Sequence, residues 1–174
     1  SSGIGKAFAK YYATVGFHLV LVGRDAEQLT VVSEEVITAG ATCQICIADL
    51  SDTHGVAIVV ACCPQPDVVV ANAGVTIAGR VGTRDWAHLE QMSYLLGVGV
   101  AQLLEGLVPA MTKRGSGDIL IVSSIASLIT MPNSVMYAAS KSFVTAYGQS
   151  LAAETERFGV RVCVLCPGYV HTSL

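Results

Sequence analysis

The sequence predicts an α/β domain built on a doubly wound parallel sheet. Three observations carry this expectation. Hydrophobic periods alternate along the chain between the strand type and the helix type. Hydrophobic residues make up 52% and charged residues only 13% of the 174 positions, a balance that suits a sheet covered by helices on both faces. The segments that follow the strand-like runs, "GRD", "ADLSD", "NAG", "SSIAS" and "PGYVHT", are small, polar or glycine-rich. That is what the carboxyl ends of parallel strands carry where a ligand binds.

The elements follow in order. "SSGIGKAFAK" opens a helix, and residues 17–23 read as a buried strand. Asp25 is placed to cap the next helix, with Gln28 three residues on, and Gly40 ends it. Residues 41–50 form a second strand. A short helix covers residues 53–61 and stops at "PQP". "DVVVANAG" is a strand running into a small-residue turn. Residues 86–111 are helical, with Gly97 and Gly99 weakening the middle. "GDILIVSS" is a strand, residues 134–158 a long helix, and "GVRVCVLCPG" a closing strand. Alternating elements of this kind imply right-handed crossovers. No repeat, low-complexity tract or linker divides the chain, so residues 1–174 read as one domain.

Composition narrows the functional classes. The net charge is -3 and the ten Lys and Arg are scattered, so no basic stripe offers itself to nucleic acid. Unbroken apolar runs stay short of the roughly 18 residues of a membrane span, and no secretory leader is recognisable. Of the six cysteines, the pairs in "CQIC" (Cys43, Cys46) and "CVLC" (Cys163, Cys166) have zinc-ligand spacing. Both pairs fall in strand-like runs, where positions three apart point to opposite faces. Buried core thiols in a reducing, cytoplasmic compartment are expected, with no metal; a zinc-bound structural module is the competing reading. His18, His54, His88 and His171 are scattered and form no ligand pair.

The stretch "SVMYAASKSFVTAYG" bears the chemistry. Tyr137 and Lys141 stand at i and i+4, on one helix face. A free phenol titrates near pH 10 and is no use as a neutral-pH acid or base. A neighbouring cation stabilises the phenolate and lowers that value. A drop of about three units corresponds to roughly 4 kcal/mol. Tyr137 could then protonate a carbonyl oxygen or deprotonate an alcohol. Ser124 lies upstream at the end of the "DILIVSS" strand, with Ser123 as its rival, since a shift of one residue reverses the face.

Taken in order, "SSGIG", "ADLSD", "ANAG", "IVSS", Tyr137-x-x-x-Lys141 and "PGYVHT" resemble the classical short-chain dehydrogenases/reductases, over essentially the whole chain. The resemblance implies a Rossmann-like dinucleotide-binding fold. It identifies Ser1, Ser2, Gly3, Ile4 and Gly5 with the tail of the family's glycine motif, at a helix N-terminus suited to a pyrophosphate. It places the family's first strand between the strands at residues 17–23 and 67–71. On this reading the chain is part of a longer domain, lacking that strand and a C-terminal segment that shapes the substrate pocket.

The same resemblance assigns the other site residues. Ser124, Tyr137 and Lys141 match the catalytic set, with Lys141 also bonding the nicotinamide ribose. Asp49, followed by Leu50, matches the aspartate beside the adenine. Asn72, Ala73 and Gly74 match the Asn-Ala-Gly wall of the cofactor site, and Pro167, Gly168 and Thr172 the motif bordering the nicotinamide. Arg24 follows the strand that carries the adenosine ribose. An arginine there accommodates a 2′-phosphate, so NADP is expected, with NAD as the alternative. One departure stands out: Leu96 occupies the position where many members carry an asparagine of a proton relay.

The expected function is therefore NADP(H)-dependent hydride transfer between nicotinamide and a small-molecule carbonyl or alcohol. The other reading is a non-catalytic nucleotide-binding or interaction protein, motivated by Leu96. The resemblance further implies a homo-oligomer formed by the full-length protein. Phe143, Tyr147 and Leu151 could supply an apolar stripe for it, and core packing would explain them equally well.

Overall fold

A computed structural model describes residues 3–170 of the chain. Its elements alternate as expected: α1 (Gly3–Thr14), β1 (His18–Gly23), α2 (Ala26–Thr38), β2 (Thr42–Ile47), α3 (Thr53–Cys62), β3 (Val68–Ala71), α4 (Trp86–Ser93), α5 (Gly99–Arg114), β4 (Gly117–Val122), α6 (Val135–Thr155) and β5 (Val160–Leu165). Local chemistry explains many of the boundaries. The Asp25 carboxylate accepts from the backbone N–H of Gln28 at 3.0 Å and starts α2. Asp52 does the same for Gly55 at 2.8 Å and starts α3. Gly115, with φ of 77°, closes α5 in the left-handed conformation. The weakened middle of the long apolar helix is a π-helical turn, Tyr94–Val98, between α4 and α5.

All strand pairs are parallel, and they form two sheets: β1 with β2, and β3-β4-β5. Among the described residues, β1 pairs only with β2, and β3 only with β4, so each has one edge without a ladder partner there. Both β1 and β3 line a crevice of about 1310 Å³. One apolar core spans it: Val20 and Val22 of β1 and Cys46 of β2 pack into the same cluster as Val69, Ile119, Ile121 and Val160 of the other sheet. Leu103, Leu104, Leu107 and Met111 of α5 fill that cluster's centre. The helical run from Trp86 to Arg114 is long and apolar enough to cross a bilayer, yet here its leucines make the protein core. On the other face, α1 and α2 cover β1 and β2 through Ala9, Ala13, Val32 and Val36. Lys6 and Lys10 of α1 bind Glu35 of α2 at 2.8 and 3.0 Å, fixing α1 against its neighbour.

One expectation needs correction, and one that was open between two explanations is resolved. Cys46 is buried and Cys43 and Cys166 are half-buried, but Cys163 is exposed. Its neighbours Val162 and Val164 face the core, so alternation turns Cys163 to the opposite face of β5. The two Cys-x-x-Cys pairs also stand on separate sheets, so their sulfurs do not converge. The supposed apolar stripe on α6 divides as well. Tyr147 and Leu151 pack against the core, and the Tyr147 hydroxyl donates to Glu105 at 3.0 Å; of the three, Phe143 alone is largely exposed.

Candidate active site

α6 brings Tyr137 and Lys141 to one face, and the turn after β4 brings Ser124 to the same crevice. Lys141 is almost fully buried. Its Nζ donates to the Val122 carbonyl at 2.7 Å and lies 5.9 Å from the centre of the Tyr137 ring. An ammonium has three N–H donors, and the Val122 bond uses one, which leaves two for other acceptors. Burial pulls the Lys141 pKa from its ordinary 10.5 down to about 8, and the nearby Cys166 thiol works weakly the other way.

The two candidate serines have different jobs. Ser123 is buried, and its hydroxyl is committed to α6: it donates to the Lys141 carbonyl at 3.0 Å and sits 2.6 Å from the Thr145 hydroxyl. Ser124 is half-buried and caps the short 3₁₀ turn Ile125–Ser127 by accepting from the Ala126 N–H at 3.1 Å. Its hydroxyl proton is therefore free to point at a ligand. Ile125 N–H donates to the Pro167 carbonyl at 2.9 Å, which ties the turn after β4 to the turn after β5.

The residues assigned to the cofactor line the same crevice from three sides. Ile4 and Gly5 reach it from the first turn of α1, just after Gly3, and Asn72, Ala73 and Gly74 from the turn after β3. Pro167 and Gly168 reach it from the turn after β5. Gly5 meets Asn72 so closely that a Cβ would stand 2.7 Å from the Asn72 Nδ2. Gly74 meets Leu96 in the same way, at 3.0 Å. These contacts pack the first turn of α1 on the turn after β3, and that turn on the π-helical turn. Ser2 and Thr172 fall outside the described residues.

Arg24 and Asp49, from the ends of β1 and β2, also line the crevice, with Leu50 beside them. They approach to 3.7 Å, and the Arg24 side chain remains 70% exposed, free to turn to another anion. Hydrogen bonds from the Ser51 backbone and then its side chain hold the Asp49 carboxyl below its usual pKa; Arg24 adds to this, against some desolvation.

Leu96 is 1% exposed and sits in the π-helical turn. It belongs to an apolar cluster with Leu89 and Met92, against which Val75, Ile77, Met136 and Tyr137 pack. The position that would carry a relay asparagine is thus a hydrophobic support beside Tyr137. Two features were absent from the sequence reading. The Val122 carbonyl that holds Lys141 carries no side-chain signal. The apolar residues Ile125, Ile129, Met131, Tyr169 and Val170 also line the crevice, and the long run without charge between Asp118 and Lys141 was the available clue.

The fold is the Rossmann-like α/β class, and the crevice groups a serine, a tyrosine and a lysine opposite a small-residue wall. Comparison with known proteins agrees. The profile of the short chain dehydrogenase family matches residues 1–174, and the chain belongs to that family. It is 33% identical to dehydrogenase/reductase SDR family member 7B of Bos taurus, over all of this chain and 57% of that protein. The chain thus spans little more than half the length of this curated relative. Among solved structures, a metagenomic short-chain oxidoreductase in complex with NADP matches with a TM-score of 0.89 at 32% identity, covering 97% of this chain and 77% of that one. Levodione reductase matches with a TM-score of 0.91 at 27% identity, covering 99% and 69%.

Proposed function

We propose that this chain carries the cofactor and proton-transfer machinery of an NADP(H)-dependent oxidoreductase acting on a carbonyl or alcohol. The observation that carries this reading is the shared crevice. Ser124, Tyr137 and Lys141 line it together with the small residues Gly5, Asn72, Ala73, Gly74, Pro167 and Gly168. The rim of the crevice at the carboxyl ends of the strands suits a dinucleotide: Gly5 and Gly74 make close approaches there, and Arg24 is exposed at one end. When bound, the nicotinamide supplies or accepts the hydride.

The protein's own groups do the rest. Ser124 donates a hydrogen bond to the substrate oxygen and fixes its place. Tyr137 gives that oxygen a proton during reduction or removes one during oxidation. Lys141, held by the Val122 carbonyl, brings a buried positive charge to the Tyr137 side. Charge in a poorly solvated place acts strongly on its neighbours. The two remaining N–H donors of Lys141 are available to the cofactor ribose. Arg24 favours NADP over NAD by meeting the 2′-phosphate.

We further propose that one more parallel strand of the complete domain occupies the crevice between β1 and β3, because each of these strands presents an edge with no ladder partner among the described residues. A homo-oligomer and a small-molecule substrate complete the proposal for the full-length protein. Reading the coding sequence on both sides of this chain, and assaying the full-length protein with NADPH and a ketone panel, tests these statements together. Cofactor binding without turnover of any carbonyl would favour the second reading, a non-catalytic nucleotide-binding protein, to which the buried Leu96 points.

A further inference from the structure

β2 and α3 meet through sulfur. Gln44 and Cys46 stand two apart on β2 and so share one face. That face is the one α3 covers, because Cys46 lies in the same core cluster as Val56 and Val59. Cys62, the last residue of α3, packs against this cluster and touches both. The Gln44 Nε2 donates to the Cys62 Sγ at 3.2 Å, and the Cys46 and Cys62 thiols share a hydrogen bond. Cys43, three positions before Cys46, faces the other way and packs with α1 and α2. The fold therefore pairs Cys46 with Cys62 and not with its neighbour in "CQIC". Hydride and proton transfer make no use of this pair.

The two sulfurs have different surroundings. Cys46 is buried and Cys62 half-buried. Burial, and then the hydrogen bond to Cys62, pushes the Cys46 thiol up to about 11, so near neutral pH it keeps its proton. An oxidant from solvent meets Cys62 first, with Cys46 behind it. A reachable thiol in contact with a buried one is the arrangement of a reacting and a resolving cysteine. Cys62 also ends a helix, where the backbone shifts most readily, so the sulfurs can close to bonding distance.

We propose that Cys46 and Cys62 are a thiol pair that a hydroperoxide converts to a disulfide, and that this bond clamps the segment between them. The Cys62 sulfur attacks one peroxide oxygen. The O–O bond breaks, S–H becomes S–OH, and the other oxygen leaves as water (or, from an organic peroxide, as the alcohol). The Cys46 sulfur then attacks the Cys62 sulfur. The S–S bond forms, the S–O bond breaks, and the hydroxide leaves with the Cys46 proton as water. The pair loses two electrons and the peroxide gains them. A dithiol reverses the change and ends as a disulfide itself. The bond encloses residues 47–61. These include Asp49 and Leu50 of the crevice wall and Gly55, which packs beneath the Asp49 carbonyl. Closing such a loop removes freedom from it. The pair is separate from Ser124, Tyr137 and Lys141, and its chemistry stands whether or not they reduce a carbonyl.

The test treats the full-length protein with a small excess of hydrogen peroxide, alkylates the remaining thiols and maps the peptides by mass. A peptide pair joined through Cys46 and Cys62 is expected, lighter by about 2 Da for the two hydrogens lost, and dithiothreitol should separate it. Cys46→Ala should leave the Cys62 sulfenic acid open to capture by dimedone, and Cys62→Ala should leave Cys46 a thiol. Amide hydrogen exchange across residues 47–61 should slow by about tenfold in the oxidised protein and recover on reduction. Three results would overturn the proposal: Cys62 joined to Cys63 or to another chain, Cys46 oxidised as readily in Cys62→Ala as in the parent, or no link at peroxide levels that oxidise the protein's other thiols. The peptide map of the parent protein decides between these even where a variant folds poorly. Unchanged exchange in a chain shown to be linked would overturn the clamp.

Discussion

Lys141 spends one of its protons on the Val122 carbonyl, at 2.7 Å, and is almost fully buried. That arrangement costs stability in order to hold a cation. Its pKa is about 8 in the folded protein against 10.5 ordinarily. Between those values the unfolded chain binds more protons, so stability rises with pH. The penalty is complete below pH 8, fades as pH rises through the window, and is gone above the unfolded value. Its size is about 3 kcal/mol. Urea unfolding of the wild type and Lys141→Met from pH 7.5 to 10.5 should show the wild type gaining on the variant by up to that amount. A difference that stays constant would show that burial does not shift this lysine. The same titration removes the charge beside Tyr137, so kcat/KM of the full-length enzyme should fall above about pH 8.

The serines should separate stability from turnover. Ser123→Ala removes a hydroxyl that joins β4 to α6 and strips Thr145 of its partner. It should lower stability by about 1–3 kcal/mol while kcat/KM drops less than about tenfold. Ser124→Ala loses only the cap of a short 3₁₀ turn, so it should lower stability by about 1 kcal/mol or less and cut kcat about a hundredfold. The reverse pattern would exchange their roles.

Gly55 of α3 lies under Asp49: a Cβ there would fall 1.7 Å from the Asp49 carbonyl oxygen. The obstacle is backbone, so it cannot swing aside. Gly55→Ala should destabilise the protein by about 3 kcal/mol and weaken NADPH binding by moving Asp49 and Leu50. Thermal unfolding close to the parent's would mean that this loop is softer than its packing indicates.

Arg24→Glu tests the cofactor. With the arginine gone and a carboxylate in its place, the ratio of kcat/KM for NADPH to that for NADH should fall about a hundredfold, the worth of roughly 2.7 kcal/mol. An unchanged ratio would count against a 2′-phosphate beside Arg24.

Much of this was legible in the residues. Asp25 capping through Gln28, the break at Gly97 and Gly99, and the order of strands and helices are set by local chemistry, and local chemistry is what a sequence displays. The pairing of Tyr137 with Lys141 was legible for the same reason, since one helical turn separates them. Non-local facts were not. Ser123 and Ser124 are equivalent polar neighbours until α6 packs on one of them. Cys163 looks like Cys46 in its strand, but its exposure depends on what covers the far face of β5. Tyr147 looked as fit for a partner as for the core until Glu105 of α5 was found beneath its hydroxyl.

Proton transfer in this crevice turns on the Tyr137 hydroxyl. Tyr137→Phe in the full-length protein, assayed for ketone reduction beside an NADPH binding titration, tests it most directly. The expected result is a fall in kcat of about a thousandfold with the NADPH Kd unchanged. Turnover within about tenfold of the parent would contradict it, because a side chain that carries no proton cannot then be standing in for the proton donor.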